Sequence, residues 1–393
     1  MNILVLTPYV PYPPHFGGAV RIYHLMRQLA RRHAVHLLTF CEKNGSGDPQ
    51  GLAPFCASIT LVPRPVAQKR GRQLASLVSR HSFQWLSHRQ AAMQAVLDRV
   101  VREQKIDAIL VEFSQMAGYH FPAGIPVILD EHNVEFDLLA RMAANEGSAL
   151  RRCYNRIEAS KFRREELVAV RRAALTLVTS DRDGELLRQH EPGARIATIT
   201  NGVDCDEFAR PIGPRKPDTA VFVGATHYFP NEDGVLYFLR DMHAAVRAAR
   251  SGFSLTVVGG RPPPSLLACQ SADVRVTGYV PDVRPYMWEA SVFVVPLRMG
   301  GGTRFKVVEA MAAGVPVVST TLGAEGIPAM DGRDLLLADD PAAFVRSVTR
   351  VLSDPALAAS LAENGLRFVR QYFDWPVIGD RLQAALEQEG IAR

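Results

Sequence analysis

The sequence is poor in the features that build disulfide frameworks, zinc sites and membrane spans. Its 393 residues include five cysteines, which lie far apart and form no C-x-x-C pair, so neither a disulfide-stapled fold nor a zinc ribbon is predicted. No apolar run approaches the roughly 18 residues that cross a bilayer. The first residues also lack the basic segment of a signal peptide. These absences favour a cytoplasmic protein in a reducing compartment.

Signatures of dinucleotide, metal and nucleic-acid binding are missing as well. Nine residues separate the first apolar run, which ends at Thr7, from Gly17 and Gly18, so the chain lacks the G-x-G-x-x-G that directly follows the first strand of an NAD(P) domain. No D-x-D-like acidic pair stands in a metal-binding context, and no metal is predicted. The aromatic and basic patterns of RNA-binding modules are also absent, which argues against nucleic acid as a partner.

Positive charge is concentrated in the first half of the chain. Residues 1–200 hold 26 Lys and Arg against 18 Asp and Glu, whereas residues 201–393 hold 19 against 22. An anionic partner is therefore expected on the first half. The stretch QKRGRQLASLVSRHSFQWL (68–86) combines basic with apolar and aromatic residues, which suits a helix lying on an anionic membrane surface. A helix with a solvated basic edge is the alternative.

Short apolar runs alternate with helical patterns along the whole chain, which predicts parallel sheets built from βαβ units. In the first half the predicted strands are NILVLT, AVHLLTF, SITLV, AILVE, PVILD, LTLVTS and RIATIT. In the second half they are TAVFVG, SLTVVG, VRVTG, SVFVVPL, VPVVST and DLLLA. The predicted fold class is α/β, with two Rossmann-like doubly wound domains facing a central cleft.

A chain of this length exceeds what one hydrophobic core usually serves, so a domain boundary is expected. We assign residues 1–204 to an N-terminal domain and residues 219–374 to a C-terminal domain. Residues 205–218, which are charged and contain three prolines, form the predicted linker. Residues 375–393 form a last helix, starting near Trp375, that would pack back on the N-terminal domain.

The most informative stretch is PLRMGGGTRFKVVEAMAAGVPVVST (296–320). The pattern of residues 303–314 predicts a helix closed by Gly314, with Arg304 and Lys306 in its first turn, where the helix dipole disfavours cations. A bound diphosphate explains this placement, because its charge offsets both side chains and the dipole, and the glycines let backbone amides approach it. A surface ion pair of Lys306 with Glu309 is the alternative.

Two stretches of the first half are also candidates for a site. Gly17 and Gly18 stand at a predicted helix start, where backbone N–H groups bind an anion or a sugar, unless the glycines merely permit the turn. The stretch LDEHNVEF (129–136) ends a predicted strand with polar residues, among them His132. Asp130 or Asn133 could instead cap the following helix.

In sequence and order, these motifs resemble the retaining glycosyltransferases of family 4. The resemblance rests on the glycine pair at 17–18, DEHNVE at 130–135, TNGVDCDEF at 200–208, FVGATHYFPNEDG at 222–234, VTGYVPDVRPY at 276–286 and RFKVVEAMAAGVPVV at 304–318. It covers nearly the whole chain. It implies two Rossmann-like domains, of which residues 1–204 form the acceptor-side domain and residues 219–374 the nucleotide-sugar-binding domain. It also implies a nucleotide-sugar donor and a hydroxyl acceptor, with a lipid-linked acceptor among the candidates, and no cofactor.

The resemblance also assigns roles to individual positions. Glu309 would bind the donor ribose, Tyr279 and Val280 would flank the base, and Gly224 would begin a loop at the diphosphate. His132 would contact the transferred sugar or the acceptor hydroxyl. Arg304 and Lys306 would supply the diphosphate cations that this loop lacks. Where the family commonly has a first glutamate the chain has Gly301, so the sugar hydroxyls would be held by backbone amides around Gly301 and Gly302 or by other side chains, and Thr303 is a further donor-binding candidate.

The expected reaction is metal-independent transfer with retention of anomeric configuration, with Arg304 and Lys306 stabilising the diphosphate leaving group. Three alternatives remain at this point. They are a phosphorylase that holds pyridoxal phosphate on Lys306, a nucleotide-sugar epimerase or hydrolase, and a non-catalytic nucleotide-sugar-binding protein. The expected location is cytoplasmic, with peripheral contact at the cytoplasmic face of the membrane as an option.

Overall fold

A computed structural model describes residues 1–41, 47–64, 69–144, 148–209, 211, 213–299 and 304–392. The chain divides into two compact units. The first comprises Met1–Asn201 together with Ile378–Arg393, and the second comprises Gly202–Val377. Each unit contains one parallel β-sheet.

The strands of the first unit are β1 (Asn2–Thr7), β2 (Ala34–Cys41), β3 (Cys56–Pro63), β4 (Ala108–Glu112), β5 (Val127–Glu131), β6 (Leu175–Val178) and β7 (Ile196–Thr198). They form a seven-stranded sheet in the order β3-β2-β1-β4-β5-β6-β7, and all neighbouring pairs are parallel. All residues of β4 and β6 are buried, as expected for strands covered on both faces.

The strands of the second unit are β8 (Thr219–Val223), β9 (Ser254–Val258), β10 (Val274–Val276), β11 (Val292–Val295), β12 (Val317–Ser319) and β13 (Leu336–Leu337). They form a six-stranded parallel sheet in the order β10-β9-β8-β11-β12-β13. All thirteen predicted strands therefore have an observed counterpart, because continuous apolar runs are what a doubly covered parallel sheet requires.

The helices of the first unit are α1 (Gly17–Leu29), α2 (Lys69–Val78), α3 (Phe83–His88), α4 (Ala91–Glu103), α5 (Glu135–Ala144), α6 (Ala149–Arg172) and α7 (Asp181–His190). The predicted helix at 68–86 is wrong as a single element. The Ser82 hydroxyl accepts a hydrogen bond from the Trp85 amide and thereby starts α3 as a separate helix. Trp85 is half-buried and its ring lies beside Gly118, so it does not extend the exposed face of α2.

The second unit contains α8 (Phe229–Asp241), α9 (His243–Ala249), α10 (Pro264–Leu267), α11 (Arg284–Glu289), α12 (Phe305–Ala312), α13 (Pro341–Ser353) and α14 (Pro355–Tyr372). The starts of α13 and α14 follow from an Asp-Pro pair. Asp340 and Asp354 each accept a hydrogen bond from a backbone amide of the first turn, and the proline that follows each of them fits the first helical position.

The last helix, α15 (Trp375–Gln388), begins at the predicted residue. Its residues from Ile378 onward belong to the first unit, where Gly379 lies against Gln28 of α1 and Gln383 makes a 2.7 Å hydrogen bond with His33. The second unit begins ahead of the predicted linker, since Val203 and Cys205 are buried in its core.

The strand order of each sheet reverses direction once, and ligands of doubly wound sheets bind beside such a reversal, at the carboxyl ends of the strands. In the first sheet the reversal lies between β1, which leads to Gly17, and β4, which ends at Glu112. In the second sheet it lies between β8, which leads to Gly224, and β11, after which α12 is the next helix. Each unit therefore presents one candidate half-site.

Candidate active site

His132 lies directly after β5 and is almost completely buried. Its Nε2 is 2.8 Å from a carboxylate oxygen of Glu112, the last residue of the neighbouring β4, and 3.4 Å from Asp130. The Phe113 ring lies against the imidazole, with 3.9 Å between ring centroids. Phe113 has φ 69°, a backbone conformation that bulky residues rarely adopt and that is found most often at functional sites.

Asp130 is clamped by Arg21 of α1. The guanidinium donates two hydrogen bonds to the carboxylate, at 2.7 and 2.5 Å, and a third to the Ile199 carbonyl. Both side chains are buried. The alternative of Asp130 as a helix cap is therefore wrong, and Glu166 of α6 instead accepts hydrogen bonds from the first amides of α5.

The charges of this network set its protonation. Burial by itself would raise the pKa of Asp130, but the Arg21 guanidinium and the hydrogen bonds from His132 and Arg21 hold that pKa well below its usual range. Burial and the neighbouring Asp130 raise the pKa of Glu112 to about 7. Burial would lower the pKa of His132, but its hydrogen bonds to Asp130 and Glu112 raise it. The network therefore disfavours the ionised form of Glu112 and favours the protonated form of His132.

The predicted glycine pair and His132 lie close together. A Cβ placed on Gly18 would lie 3.6 Å from His132 Nδ1 and 3.3 Å from the Phe113 ring. A Cβ on Gly17 would have no neighbour within 4 Å, so there is open space beside the first residue of α1. His132 thus uses Nε2 to contact Glu112 and directs Nδ1 toward this helix start.

Glu112, Asp130 and His132 are also close enough to share a metal ion, because one ligand atom from each lies within 4.8 Å of the others. The Arg21 guanidinium, however, already occupies both oxygens of Asp130. A cation placed beside this guanidinium would be repelled by it. The geometry therefore fits a hydrogen-bonded network better than a metal centre, and the absence of a metal stays a prediction.

In the second unit Arg304 is the N-cap residue of α12, so the helix begins two residues later than predicted. Its guanidinium donates hydrogen bonds to the Leu322 carbonyl at 3.2 Å and to the Glu325 carboxylate at 3.3 Å. The side chain is buried, and burial lowers its pKa. Gly301, Gly302 and Thr303 lie outside the described residues. Gly314 follows the helix at φ 62° and ends it, as predicted.

Lys306 lies in the first turn of α12, as predicted. Its ammonium donates a 2.5 Å hydrogen bond to the Asn231 amide oxygen and lies 4.5 Å from the centre of the Phe222 ring. A Cβ on Gly224 would be 2.9 Å from this ammonium. Burial and the nearby Arg304 lower the pKa of Lys306 to about 7.

Glu309 lies one turn further along α12, and burial raises the pKa of its carboxyl group to about 7. Lys306 and Glu309 form no ion pair among the residues that the structure describes, so the surface-pair alternative does not account for Lys306. Both are only partly exposed. Partial burial therefore favours the neutral form of both groups.

The remaining predicted residues flank the ends of β8 and β9. The Gly224 amide donates to the Val258 carbonyl at 3.0 Å, and Gly259 packs against the Gly224 carbonyl. Tyr279 is 79% exposed, and its Cβ lies beside Gly260. Val280 packs against the core. The structure thus brings Gly224 and Lys306 together, whereas no contact joins Tyr279 to Lys306 among the described residues.

Three residues of these half-sites escaped the sequence analysis, namely Glu112, Arg21 and Asn231. Glu112 could have been identified from the sequence, because a charged residue at the carboxyl end of a buried strand lies at the edge of the sheet where ligands bind. Asn231 lies within the FVGATHYFPNEDG motif but has no charge to attract attention. Arg21 follows the glycine pair in α1, where a basic residue is ordinary.

Comparisons with known proteins decide the family. The family model described as "Glycosyltransferase Family 4" matches residues 17–207, and the model described as "Glycosyl transferases group 1" matches residues 217–354. The chain is a family 4, group 1 glycosyltransferase. It is therefore a sugar-transferring enzyme of the kind that uses nucleotide sugars.

A curated relative supports this assignment. The GDP-mannose-dependent alpha-(1-6)-phosphatidylinositol monomannoside mannosyltransferase of Mycolicibacterium smegmatis is 26% identical over 308 residues, which covers 68% of this glycosyltransferase and 80% of the relative.

Solved structures support the fold. Sucrose-phosphate synthase from Thermosynechococcus elongatus matches with a TM-score of 0.66 at 18% identity, covering 99% of each chain. Anabaena Alr3699/HepE in complex with UDP matches with a TM-score of 0.66 at 15% identity, covering 99% of this chain and 100% of that one. The two Rossmann-like domains are those of the GT-B fold. Within the described residues, no helix has the length and apolar character needed to traverse a bilayer.

Proposed function

We propose that this glycosyltransferase moves a sugar from a nucleoside-diphosphate sugar to a hydroxyl acceptor, without a metal and with retention of anomeric configuration. The proposal rests on Lys306, a partly exposed cation in the first turn of α12 whose hydrogen-bond partner is a neutral amide. A cation that is partly removed from water is stabilised when an anion pairs with it. A diphosphate placed beside Gly224 would supply the missing anion and would also complement the N-terminus of α12.

The chemistry follows from this charge. The acceptor oxygen forms a bond to the anomeric carbon while the bond from that carbon to the diphosphate oxygen breaks, and the acceptor proton passes to the departing phosphate oxygen on the same face. Lys306 and Arg304 stabilise the negative charge that develops on the diphosphate. Glu309 accepts hydrogen bonds from the ribose hydroxyls. His132, held by Glu112, contacts the transferred sugar or the acceptor hydroxyl.

The relatives guide the choice of substrates. The Mycolicibacterium enzyme is named for GDP-mannose and a phosphatidylinositol monomannoside, and the Anabaena structure contains UDP. We therefore propose a guanosine or uridine diphosphate sugar as donor and a glycan or lipid hydroxyl as acceptor. Titrating the wild-type enzyme with GDP, UDP and ADP distinguishes the nucleotides, because the tighter ligand raises the unfolding midpoint more.

The decisive experiment compares Lys306→Ala with Lys216→Ala. Lys216 belongs to the same unit but is exposed and paired with Glu289, so its loss should not change diphosphate affinity. We expect Lys306→Ala to abolish the stabilisation by the preferred nucleoside diphosphate, and Lys216→Ala to retain it. Equal affinity in both variants would remove Lys306 from the donor site.

Product analysis tests the reaction itself. The anomeric configuration of the product, read by NMR, should match that of the donor, and a chelator should leave the rate unchanged. An inverted product would contradict the mechanism. Donor breakdown at full rate without any acceptor would favour a hydrolase or epimerase, and a visible cofactor absorption band would favour the phosphorylase.

We also propose peripheral contact of the first unit with an anionic membrane. The three glutamates of α6 are buried, while most of its arginines are exposed, namely Arg151, Arg156, Arg163, Arg164, Arg171 and Arg172. The backbone carbonyl of Ser76 in α2 accepts a 2.5 Å hydrogen bond from Lys161 of α6, so α2 packs beside this basic face. Val78 at 92% and Leu150 at 82% exposure add apolar side chains to it.

This combination of cations and exposed aliphatic side chains is typical of interfacial helices, whereas nucleic acid would require aromatic or base-reading groups. Co-sedimentation with phosphatidylglycerol vesicles and with neutral phosphatidylcholine vesicles tests it. We expect binding to the anionic vesicles, weakened by Val78→Asp with Leu150→Asp. Equal binding to both kinds of vesicle would contradict the membrane proposal. Competition by double-stranded DNA that is the same in the wild type and in the doubly substituted variant would also contradict it.

A further inference from the structure

Glu131, which precedes His132, and Glu166 of α6 are acidic residues that the proposed chemistry does not use. Glu131 ends β5 and is 1% exposed, and neither of its carboxyl oxygens has a hydrogen-bond partner among the described residues. Glu166 of α6 is fully buried as well. Carboxylates are seldom buried without partners, because desolvation disfavours the charged form.

Glu166 makes two contacts that fix the start of α5. One oxygen accepts a 2.8 Å hydrogen bond from the Glu135 amide, and the other accepts a 2.8 Å hydrogen bond from the Phe136 amide. These amides are among the four at a helix start that have no partner within the helix. Since α5 begins three residues after His132, Glu166 fixes one end of the turn 132–134 and the β5 ladder fixes the other.

Charge repulsion links the two carboxyl groups. Burial, Glu166 and Glu135 raise the pKa of Glu131 well above its usual range. Burial also raises the pKa of Glu166, although its hydrogen bonds from the Phe136 and Glu135 amides oppose that rise. The titratable groups that face the pair are thus Glu131 from β5, Glu135 from α5 and Glu166 from α6, with the Ser114 side chain beside them.

We propose that Glu131 is buried as the protonated acid and that Glu166 fixes the turn 132–134 through the start of α5, which makes Glu166 a positioning residue for His132. Glu131 retains its proton because no cation pairs with it among the described residues, while Glu166 serves as the acceptor for α5. The catalytic readout of this proposal rests on the proposed function, whereas its structural readouts do not.

Glu165 provides a matched control. It neighbours Glu166 on α6, is similarly buried, and holds the start of α3 by accepting a hydrogen bond from the Ser82 amide at 3.0 Å. Glu166→Gln and Glu165→Gln therefore each weaken a buried contact between α6 and the start of another helix. Glu166→Gln alone weakens the contact that leads to His132.

Three measurements on the full chain test the proposal. The imidazole ¹⁵N resonance of His132, assigned by its loss in His132→Gln, should shift or broaden in Glu166→Gln and stay unchanged in Glu165→Gln. The turnover number should fall about tenfold or more in Glu166→Gln, with diphosphate affinity within about twofold, because small misplacements of a catalytic group cost this much. Glu131→Gln, which mimics the protonated acid, should keep the turnover number within about twofold at pH 7.

The third measurement is stability against pH. Both pKa values are raised in the folded state, so the folded chain binds more protons than the unfolded chain above the usual carboxyl pKa of 4.5. The free energy of unfolding contributed by the pair therefore falls as the pH rises above that value, and Glu131→Gln should make this fall shallower.

Two results would overturn the proposal. An unchanged His132 resonance in Glu166→Gln would show that the residue stabilises α5 without positioning His132. A pH dependence of stability in Glu131→Gln equal to that of the wild type would show that Glu131 does not retain a proton in the folded chain. Both results can be obtained even if no sugar transfer is found, so failure of the proposed function is distinguishable from failure of this inference.

Discussion

The two half-sites differ in how their charges are balanced. In the first unit Asp130 pairs with Arg21 and His132 with Glu112, so each of these charged groups has a partner of opposite sign within the unit. In the second unit the partly exposed Lys306 meets an amide oxygen and lacks an anionic partner among the described residues. We infer that the side chains of the first half-site keep their arrangement without a ligand. The second half-site is stabilised by the ligand that supplies its missing negative charge.

Removal of the Arg21 guanidinium, the partner of Asp130, should have the largest effect on stability. Arg21→Met leaves Asp130 buried without its partner, and we expect the free energy of unfolding to fall by about 3–5 kcal/mol. Urea unfolding followed by fluorescence measures this loss. Arg367→Met, which removes an exposed pair with Glu363, should cost less than about 1 kcal/mol. Similar losses in both variants would contradict the preformed network.

Removal of the Lys306 ammonium group in the second unit should affect turnover rather than folding. We expect Lys306→Ala to raise the activation barrier for transfer by about 2–4 kcal/mol, as for loss of one preorganised group at a developing anion. The unfolding free energy should not decrease, because the substitution removes a partly desolvated cation that has no anionic partner among the described residues. Steady-state kinetics with the preferred donor measure the barrier, and unchanged kcat/KM would disprove this role.

The charge of Lys306 should also make donor binding depend on pH. Its pKa is lowered to about 7 in the free protein, and a bound diphosphate favours the protonated form. Affinity for the nucleoside diphosphate should therefore be insensitive to this group below pH 7 and fall about tenfold per pH unit above it. Calorimetric titrations from pH 6 to 9 test this. Glu309→Gln should keep the alkaline fall, and Lys306→Ala should lose it.

Substitution of Gly224 tests the position of the Lys306 ammonium group without removing its charge. A Cβ on Gly224 would lie 2.9 Å from the Lys306 ammonium, so Gly224→Ala should displace that flexible side chain and weaken diphosphate affinity about fivefold, or roughly 1 kcal/mol. Gly213→Ala is the matched control, since a Cβ there has no neighbour within 4 Å. Full affinity in Gly224→Ala would mean that the ligand does not depend on this position of Lys306.

The sequence predicted the fold well because each strand of a covered parallel sheet is a continuous apolar run. It also placed His132 after a strand, and Lys306 in the first turn of a helix, correctly. It did not reveal their partners, because Glu112 is 20 residues from His132, Asn231 is 75 from Lys306 and Asp130 is 109 from Arg21. Such long-range pairings leave no periodic signal in a single sequence.

Helix boundaries were less predictable for a related reason. The 68–86 stretch is helix-forming throughout, and its division depends on Ser82, which is held by the distant Glu165. The start of α12 at Phe305 likewise depends on Arg304, whose side chain reaches Leu322 and Glu325. In both places a contact from elsewhere in the unit overrides local propensity.

The path of the polypeptide through α15 also bears on how the protein is made. The first unit contains residues from Ile378 onward, so it cannot reach its full set of contacts during translation until the whole second unit has left the ribosome. The domain that is synthesised first usually also finishes folding first. Here the first unit can complete its last folding step, the packing of α15, only after the second unit has been synthesised. A fragment limited to residues 1–201 would leave the surface around Gln28 and His33 uncovered, and such a fragment is expected to depend on chaperones.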